Sequence, residues 1–391
     1  MKSVVGIYPS PYDKHPHNHD FNCAIVTEKD IYAYEDRKLL GFKYDDGSSF
    51  PYRSLIAGLK ELNIKTSEVN KWVFTCPKKK LSKITLKQLF CDKLKACSPK
   101  DLNNFIKNKI TSYPHHNAHI NLAKNISGYE SGYFLSIDGG GDGYDNRNLV
   151  FGKFSKNNLK TLLTSKGNSG LAGFHAVLTD SIGFGVDNGK TSGFASYGIF
   201  QKKLYNNLKK FFKLDKNRIP YFYFKRKKSQ LNLRNIFFQN FSLHKYLNTS
   251  PSNTNILKVI KNYKTKDVAK TGEKLIMDLL IDFINFNVKK QENFNLVCSG
   301  GLFHNVAINQ QLIDNLKFKN IFFTMSAGDG GLGLGLASEE FVKINKKKIN
   351  SSHKNKFSKL GMTPFLGPSF NKKEILQLIK NVSGIKFKTI N

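Results

Sequence analysis

Three histidines lie close together in the segment His115-His116-Asn117-Ala118-His119, directly after Pro114. Proline suits the first turn of a helix, where its missing N–H costs little, so the segment predicts the beginning of a helix. In a helix, His115 and His119 share one face, one turn apart. That spacing is a common way to present two nitrogen ligands to one metal ion. The alternative is a polar helix start whose histidines are merely solvated, and the clustering of three imidazoles favours the metal site.

Two aspartates, Asp138 and Asp329, follow predicted strands, at positions where a side chain can project into a cleft. With His115 and His119 they would form a set of two imidazoles and two carboxylates. Such a set suits Fe(II) or Zn(II) and leaves coordination positions open for a substrate, and Fe(II) is favoured over Zn(II). The alternative roles are turn capping for Asp138 and capping of the following helix for Asp329.

Glycine-rich turns follow three predicted strands, at 138–143, 299–301 and 328–331. Glycine lets the backbone approach a phosphate closely and aim N–H groups at it. Because glycine ends many strands, one such turn would be weak evidence, but three of them predict a cleft for a nucleotide phosphate and a metal ion. The candidate nucleotide-binding glycines are Gly139, Gly140, Gly141, Gly300, Gly301, Gly328, Gly330 and Gly331.

The chain is long enough to bury a sizeable core, with 391 residues of which 40% are apolar. That length suits two or three domains. A formal net charge of +33 points first to nucleic acid or an anionic membrane. Only six of the 62 basic residues are arginine, however, and phosphate-reading surfaces usually carry more arginine, because the guanidinium group matches phosphate geometry. We therefore attribute much of the charge to an A+T-rich genome and expect no nucleic-acid partner, although the charge can help to attract small anionic substrates.

Five scattered cysteines form no C-x-x-C pair, so neither a disulfide framework nor a thiolate zinc site is indicated. Reduced thiols fit a cytoplasmic protein best. The N-terminal residues lack the apolar core of a signal peptide. The most apolar helical stretch, Leu275–Val288, is interrupted by Asp278 and Asp282, so it predicts a helix that faces the core and no membrane span.

A strand–turn–strand unit opens the chain and returns in its middle. The strands are predicted at Ser3–Tyr8, Cys23–Thr27, Ile31–Glu35, Tyr133–Ile137 and Asn148–Phe154. This repeated order of strands and turns predicts two related halves, each beginning with a β-hairpin, within a mixed α/β architecture. We place the first half at residues 1–130, the second at 131–342, and a linker with the truncated start of a further domain at 343–391.

Residues 201–253 are dense in lysine, phenylalanine and tyrosine and predict an insertion in the second half. Aromatic side chains interleaved with basic ones can stack on nucleotides or sugars. The alternative, which we favour, is an insertion whose aromatic side chains pack inward and whose lysines are solvated. Just before it, the small residues of Gly189–Gly198 predict a loop.

In the order of these elements, the chain resembles the NodU/CmcH family of O-carbamoyltransferases. The resemblance covers roughly residues 3 to 370, and the ordered set is specific although no single motif is. The matching elements are His19-Asp20, Glu35-Asp36-Arg37, the histidine segment 115–119, Asp138–Gly141, Gly189-Lys190 with Gly193–Gly198, Gly300-Gly301 with Asn305, Gly328–Gly331 and Leu366-Gly367-Pro368.

The resemblance implies an ASKHA (actin-like ATPase) fold, in which two RNase H-like halves surround a nucleotide cleft. It also implies a reaction in which carbamoyl phosphate and ATP give a carbamoyl adenylate, whose carbamoyl group passes to a substrate hydroxyl. A sugar, a glycan or a secondary metabolite would each supply such a hydroxyl.

The resemblance further implies roles for single residues. The two histidines and two aspartates described above would hold the divalent metal, which would act as a Lewis acid and template, and Asn305 would join the glycines at the nucleotide. Lys190 would place positive charge near the reacting anion. From imidazole chemistry alone, and not from the resemblance, we expect His116 to orient or deprotonate the acceptor hydroxyl near neutral pH. The further catalytic candidates are His19, Asp20 and Arg37.

Two departures from the family pattern matter. Family members usually carry a further, YrdC-like domain that makes the adenylate, whereas this sequence stops shortly after Leu366-Gly367-Pro368. The adenylate-forming part is therefore expected to be missing or supplied by another chain. In addition, Val186–Gly189 replaces the family's Asp-Glu-Gly stretch, which leaves the substrate preference open.

Two other functions stay open. The basic charge suggests a tRNA threonylcarbamoyl transferase of the TsaD kind, although the histidine segment lacks the His-x-Glu-Gly-His form of that family. The short C-terminus suggests a non-catalytic nucleotide-binding partner that needs a second chain. The sequence does not choose between a monomer and a homodimer.

Overall fold

The computed structural model describes residues 2–9, 20–36, 38, 50–75, 86–139, 145–155, 158–167, 170–185, 188–222, 251–345, 366–367 and 372–380. Four of the predicted site residues, His19, Arg37, Gly140 and Gly141, lie outside these ranges, as do most of the predicted insertion and the lysine-rich linker. Among the described residues, no helix has both the length and the apolar character that crossing a membrane requires.

The described part of the first half forms five strands, three α-helices and a π-helical turn at Gln88–Lys93. The strands and helices are β1 (Ser3–Tyr8), β2 (Asn22–Thr27), β3 (Ile31–Glu35), α1 (Tyr52–Glu61), β4 (Lys71–Phe74), α2 (Leu102–Lys109), β5 (Ile110–Ser112) and α3 (His115–Ser127). β1 and β2 are buried along their whole length. This burial explains why their sequences are runs of apolar and small residues instead of an alternating pattern.

The described part of the second half and of the C-terminal segment contains seven strands and eight α-helices. They are β6 (Ser131–Ile137), β7 (Arg147–Ser155), β8 (Asn158–Lys166), α4 (Leu171–Ser181), α5 (Asn188–Ala195), α6 (Lys202–Lys209), β9 (Phe212–Leu214), β10 (Pro220–Phe222), α7 (Pro251–Ile260), α8 (Thr265–Asn287), β11 (Asn295–Ser299), α9 (Val306–Asn315), β12 (Asn320–Phe323), α10 (Leu332–Asn345) and α11 (Lys372–Lys380). β9 and β10 pair only with each other.

The two halves contain sheets of the same topology. The first sheet has the order β3-β2-β1-β4-β5 and the second the order β8-β7-β6-β11-β12. In each sheet the first three strands of the half are antiparallel and the last two are added in parallel. This shared order is that of two RNase H-like halves, so the predicted mixed α/β, actin-like architecture with an internal repeat is confirmed.

The last helices of the two halves, α3 and α10, are exchanged between the sheets. α10 follows the second sheet in the chain but packs on β1, β2 and β4 of the first. α3 follows the first sheet but lays Ile120 and Ala123 against Phe134, Val150 and Val297 of the second. The two helices therefore lie side by side between the sheets. The predicted boundary after residue 130 separates the strands of the two sheets. The helix that covers the inner face of each sheet comes from the other half of the chain.

Glycines allow α10 to approach α3 closely. A Cβ atom at Gly335 would lie 2.1 Å from the carbonyl oxygen of Ala118, and one at Gly331 would lie 2.5 Å from Leu122 Cδ2. Gly331 ends the 3₁₀ turn that leads into α10, Gly335 lies in the first turn of α10, and both face α3. Larger residues at these positions would force the two helices apart.

In the second half, the structure contradicts one prediction from the sequence and agrees with another. The prediction of a loop at Gly189–Gly198 is wrong, because α5 occupies most of that segment and packs on α8. The described part of the predicted insertion follows the favoured interpretation, since Phe212 and Phe222 both pack edge-on against Phe174 in the core.

Candidate functional site

The histidine segment forms the first turns of α3, directly after Pro114, as the sequence predicts. The helix ends before Gly128, whose φ of 73° gives a left-handed cap. His115 and His119 are 1% and 0% exposed, and their Nε2 atoms lie 3.1 Å apart. The one-turn spacing thus brings two imidazole nitrogens to one point inside the protein.

Asp138, at the end of β6, and Asp329, just before α10, direct their carboxylates to the same point. Asp329 Oδ1 lies 3.3 Å from Nε2 of His115 and 3.4 Å from Nε2 of His119. Asp138 Oδ2 lies 3.5 Å from Nε2 of His119. One ligand atom from each of the four side chains lies within 4.8 Å of the others. The structure therefore brings together all four residues that the sequence predicts as metal ligands.

The separations of these atoms suit a metal ion. With metal–ligand bonds of about 2.1 Å, neighbouring ligand atoms lie about 3.0 Å apart in an octahedron and about 3.4 Å apart in a tetrahedron. Four of the six separations, 3.1, 3.3, 3.4 and 3.5 Å, agree with these edges, and all six are within 4.8 Å. Two imidazoles and two carboxylates without a thiolate match the preferences of Fe(II) and Zn(II). The residues present therefore fit a divalent metal.

Residues of the first half hold Asp329 in place. Tyr8 in β1 donates its hydroxyl to Asp329 Oδ2 at 2.7 Å, and the side-chain amide of Asn22 in β2 donates to the Asp329 carbonyl oxygen at 2.8 Å. Burial raises the pKa of Asp329, but the charges and hydrogen bonds of His115 and His119 outweigh it and hold the pKa well below its usual value. The carboxylate is thus ionised near neutral pH, as a metal ligand must be.

His116 points away from the other two histidines. Its side chain is fully buried between β6 and β7, where Nδ1 lies 2.8 Å from the hydroxyl of Ser136 and Nε2 donates to the carbonyl oxygen of Arg147 at 2.7 Å. Burial, and after it the nearby His115 and His119, lower the pKa of His116 to about 3. The predicted role in orienting or deprotonating an acceptor hydroxyl does not fit this geometry, because both ring nitrogens bind inside the protein. His116 instead fastens α3 to the second sheet.

Asp145 and Arg147, which the sequence interpretation missed, hold the same end of α3. Asp145 accepts the backbone N–H of His116 at 3.1 Å, and Arg147 donates Nε and Nη2 to its two carboxylate oxygens at 2.6 Å each. Burial raises the pKa of Asp145, but hydrogen bonding to Arg147 outweighs it and lowers the pKa to about 2. Their signal in the sequence is an acidic and a basic residue directly after the first glycine-rich turn, a turn whose pattern predicts a cleft for phosphate and metal.

Asp138 also fastens the turns around it. Its carboxylate accepts the backbone N–H groups of Gly139 and Gly301, at 2.5 Å each. The capping role considered for Asp138 and its place in the four-residue cluster therefore occur together. The bond to Gly301 joins the ends of β6 and β11, which are neighbouring parallel strands.

The remaining glycines of the turns lie where the backbone meets other groups. Gly300 has a φ of 103° and lies against the carbonyl of Ile137, 2.3 Å from where its Cβ would be. A Cβ at Gly328 would lie 2.5 Å from His304 Nε2, and one at Gly330 would lie 2.6 Å from Glu35 Oε1. Close packing therefore explains why each of these positions is a glycine. The contacts of these glycines with a nucleotide stay predictions.

Asn305 joins three helices next to these turns. Its side-chain oxygen accepts the N–H groups of Ala307 and Ile308 and so caps α9. Its amide donates to Ser192 of α5 at 2.8 Å and to Glu273 of α8 at 2.6 Å. These four bonds use the full capacity of the side chain. The predicted contact of Asn305 with a nucleotide does not fit this geometry, and its role here is to position the helices.

Of the other predicted catalytic residues, the structure describes Lys190 and Asp20. Lys190 is exposed on α5. Asp20 precedes β2 with a left-handed φ of 66°, and its carbonyl accepts a hydrogen bond from Asn22, which also binds the Asp329 backbone. The catalytic roles of Lys190 and Asp20 stay predictions.

Comparison with known proteins assigns the chain to a family. The family described as "Carbamoyltransferase N-terminus" matches residues 54–338, a range that contains all four residues of the cluster. The chain belongs to this family. As a carbamoyltransferase N-terminus, it contains the two sheets and both exchanged helices, and the matched range ends within α10.

Two uncharacterized proteins of Methanocaldococcus jannaschii are curated relatives of this carbamoyltransferase N-terminus. One is 21% identical over 295 residues, which cover 72% of this chain and 44% of the relative. The other is 27% identical over 259 residues, which cover 65% of this chain and 45% of the relative. The matched region therefore spans less than half the length of these relatives.

Among solved structures, similar chains include component A of the (R)-2-hydroxyglutaryl-CoA dehydratase of Acidaminococcus fermentans, at 12% identity and a TM-score of 0.49, covering 88% of this chain and 100% of that one. Full-length HypF in its phosphate- and nucleotide-bound form has 13% identity and a TM-score of 0.45, and the match covers 90% of this chain and 47% of that HypF chain. HypF of T. kodakarensis has 13% identity and a TM-score of 0.42, and the match covers 88% of this chain and 48% of that HypF chain. Likenesses of this degree identify neither a substrate nor a partner.

Proposed function

We propose that this chain is the metal-binding part of an O-carbamoyltransferase of the NodU/CmcH type. The enzyme would move a carbamoyl group from carbamoyl phosphate, through a carbamoyl adenylate formed with ATP, to a hydroxyl of a sugar, glycan or natural product. The observation that carries the proposal is the meeting of His115, His119, Asp138 and Asp329 at one point, in a chain that belongs to the carbamoyltransferase N-terminus family.

These four side chains would hold a divalent metal, Fe(II) in preference to Zn(II). When bound, the metal would supply a Lewis acid and a template for the carbonyl or phosphate group of the substrate. Asp138 and Asp329 would offset its charge. The protein fixes these ligands in advance, because Tyr8 binds one carboxylate and Gly301 the other.

Charge and backbone donors support the binding of the anionic substrates. Carbamoyl phosphate and ATP are both anions, and a net charge of +33 raises their concentration near the protein. Lys190, on the exposed face of α5, would add positive charge close to the reacting anion. The glycine-rich turns would offer backbone N–H groups to phosphate oxygens.

We propose that a YrdC-like domain, or a separate YrdC-like chain, carries out the adenylate-forming step. The relatives are about twice as long as the region they share with this chain, since the match covers 44% and 45% of them. If this chain is active only together with such a unit, it would by itself be a non-catalytic nucleotide-binding partner of that unit. We further propose a cytoplasmic location, since the described cysteines are free thiols.

The proposal is tested by product analysis. The chain is loaded with Fe(II) without oxygen and mixed with carbamoyl phosphate, ATP, candidate sugars and a YrdC-like chain, and the products are weighed by mass spectrometry. A sugar heavier by one carbamoyl group is expected. The variant His119→Ala should yield none, and Lys274→Met should match the wild type because Lys274 forms an exposed pair with Asp278. Full activity of His119→Ala would refute the metal assignment.

The high net charge favours one second candidate, a tRNA threonylcarbamoyl transferase of the TsaD kind. This function predicts tight tRNA binding whose affinity falls steeply with salt concentration. Filter binding of total tRNA at 50 and 200 mM salt distinguishes the two, because an enzyme for small acceptors would bind tRNA weakly. Sedimentation of the same sample shows whether the chain is a monomer or a homodimer.

A further inference from the structure

A buried ion pair joins the two exchanged helices. Nζ of Lys124 in α3 lies 2.6 Å from Oε2 of Glu339 in α10, and the two side chains are 3% and 6% exposed. Moving two charges out of water costs several kcal/mol per ion, so such a pair is weak evidence for a gain in stability. A better attested use of buried polar groups is to fix the register between two elements.

The hydrogen bonds around this pair connect the same two helices at the same level. Asn125 of α3 donates to the hydroxyl of Ser338 at 3.0 Å, so consecutive residues of α3 bind consecutive residues of α10. On the far side, Lys343 lies 3.7 Å from Glu339, but its side chain is 49% exposed. The contacts of Lys124 and Asn125 therefore set the position of α3 along α10.

The same helices carry three of the four residues of the metal cluster. His119 precedes Lys124 in α3 by five residues, about 7.5 Å along the helix axis, and Asp329 lies directly before α10. At the level of the cluster, next to His119, the backbones of the two helices come together at Ala118 and Gly335. That contact fixes how close the helices come but not how far one slides along the other. A slide of about 1 Å would be half of a metal–ligand bond of about 2 Å.

We propose that Lys124 and Glu339 are positioning residues of the metal centre. They hold α3 and α10 in the register at which His115 and His119 meet Asp329. This inference rests on the proposed function only in that the cluster binds a metal, and it requires no particular substrate or acceptor.

The test uses Co²⁺ as a spectroscopic probe and measures its affinity and its visible absorption spectrum in the purified chain. The double variant Lys124→Met/Glu339→Met removes both charges and keeps side chains of similar length, so its urea midpoint should stay close to that of the wild type. Its Co²⁺ affinity should fall about 10-fold, the lower end of the loss on removing groups that contact a metal ligand, because Lys124 and Glu339 act on the ligands only through the two helices. Its absorption bands should also shift, because the ligand geometry changes.

Two further variants control the comparison. Lys274→Met removes the lysine of an exposed pair within one helix, 43% and 34% exposed, and should leave Co²⁺ binding unchanged. Asn125→Ala removes the hydrogen bond to Ser338 and leaves no buried charge without its partner. It replaces the double variant in the test if the double variant does not fold. It should lower the Co²⁺ affinity by less than the double variant does and shift the bands in the same direction.

The outcomes separate the two ideas. A folded double variant, or Asn125→Ala in its place, that binds Co²⁺ with the affinity and spectrum of the wild type would overturn the positioning role and leave the metal site standing. A wild-type chain that binds no Co²⁺, or a His119→Ala variant that binds it equally well, would overturn the metal site and with it the inference.

Discussion

Replacing Gly335 by alanine tests whether backbone contact sets the distance between α3 and α10. A Cβ atom at this position would lie 2.1 Å from the carbonyl oxygen of Ala118 and 3.0 Å from its carbonyl carbon. Ordinary contact begins at 3.4 Å, so the two helices would have to separate by about 1.3 Å at this point. Neither obstructing atom belongs to a side chain that could rotate away.

The expected cost follows from two opposing effects. Overpacking a core costs about 1–3 kcal/mol, and a backbone obstacle places Gly335→Ala near the upper end, at about 3 kcal/mol. Alanine also favours the helix by about 1 kcal/mol relative to glycine. The net loss of unfolding free energy should therefore be about 2 kcal/mol. It would appear as a lower urea midpoint at an unchanged slope when unfolding is followed by circular dichroism.

Gly193→Ala is the matched control, because Gly193 lies within α5 and a Cβ there would meet no described atom within 4 Å. It should stabilise the protein by up to about 1 kcal/mol through helix propensity alone. If Gly335→Ala proved as stable as the wild type, or more so, the close contact between α3 and α10 could not be rigid. The two helices would then not fix the geometry of the four-residue cluster.

Three further substitutions test other parts of the structure. Tyr8→Phe removes the 2.7 Å hydrogen bond to Asp329 and should weaken Co²⁺ binding about tenfold; an unchanged affinity would show that the hydroxyl does not support the ligand. Burial lowers the pKa of His175 to about 4, against about 6.5 in the unfolded chain. The unfolded chain therefore takes up the proton first, and His175 destabilises the fold as the pH falls from about 6.5 to about 4, by about 2 kcal/mol at pH 5. In His175→Leu the loss of stability between pH 7 and 5, measured by urea unfolding, should be smaller by about that amount, and an equal loss would contradict the assignment. Asp36 accepts the N–H groups of Arg53 and Ser54 at 3.2 and 2.7 Å at the start of α1, so Asp36→Ala should cost about 1 kcal/mol in the same assay, and no loss would mean that this cap is dispensable.

Local patterns predicted the elements that carry the cluster. The strands Ser3–Tyr8 and Ile31–Glu35 agree with the structure to the residue, because buried runs of β-branched and aromatic residues have few alternatives to a strand. Pro114 marked the beginning of α3, and helical periodicity then placed His115 and His119 together. The two aspartates were found because each ends a strand-like run next to glycine.

Features that depend on distant packing could not be predicted in this way. The small residues of Gly189–Gly198 carry no helical periodicity, and α5 forms because it packs on α8. His116 is the same type of residue as its two neighbours, and only its rotation of about 100° around the helix turns it from the cluster towards Ser136. Gly331 suits a phosphate turn and a tight helix contact equally well in sequence, and only the position of α3 distinguishes them.

The inner face of the first sheet is covered by a helix that the ribosome makes only after the whole second sheet. Until α10 emerges, Val4, Ala24 and Val73 lack the apolar partners that α10 supplies in the folded chain. Asp329 is made immediately before α10, so a nascent first half carries both imidazoles of the cluster but neither carboxylate. A complete four-residue cluster therefore forms only after Asp329 has been made, so the proposed metal ion would bind late in synthesis.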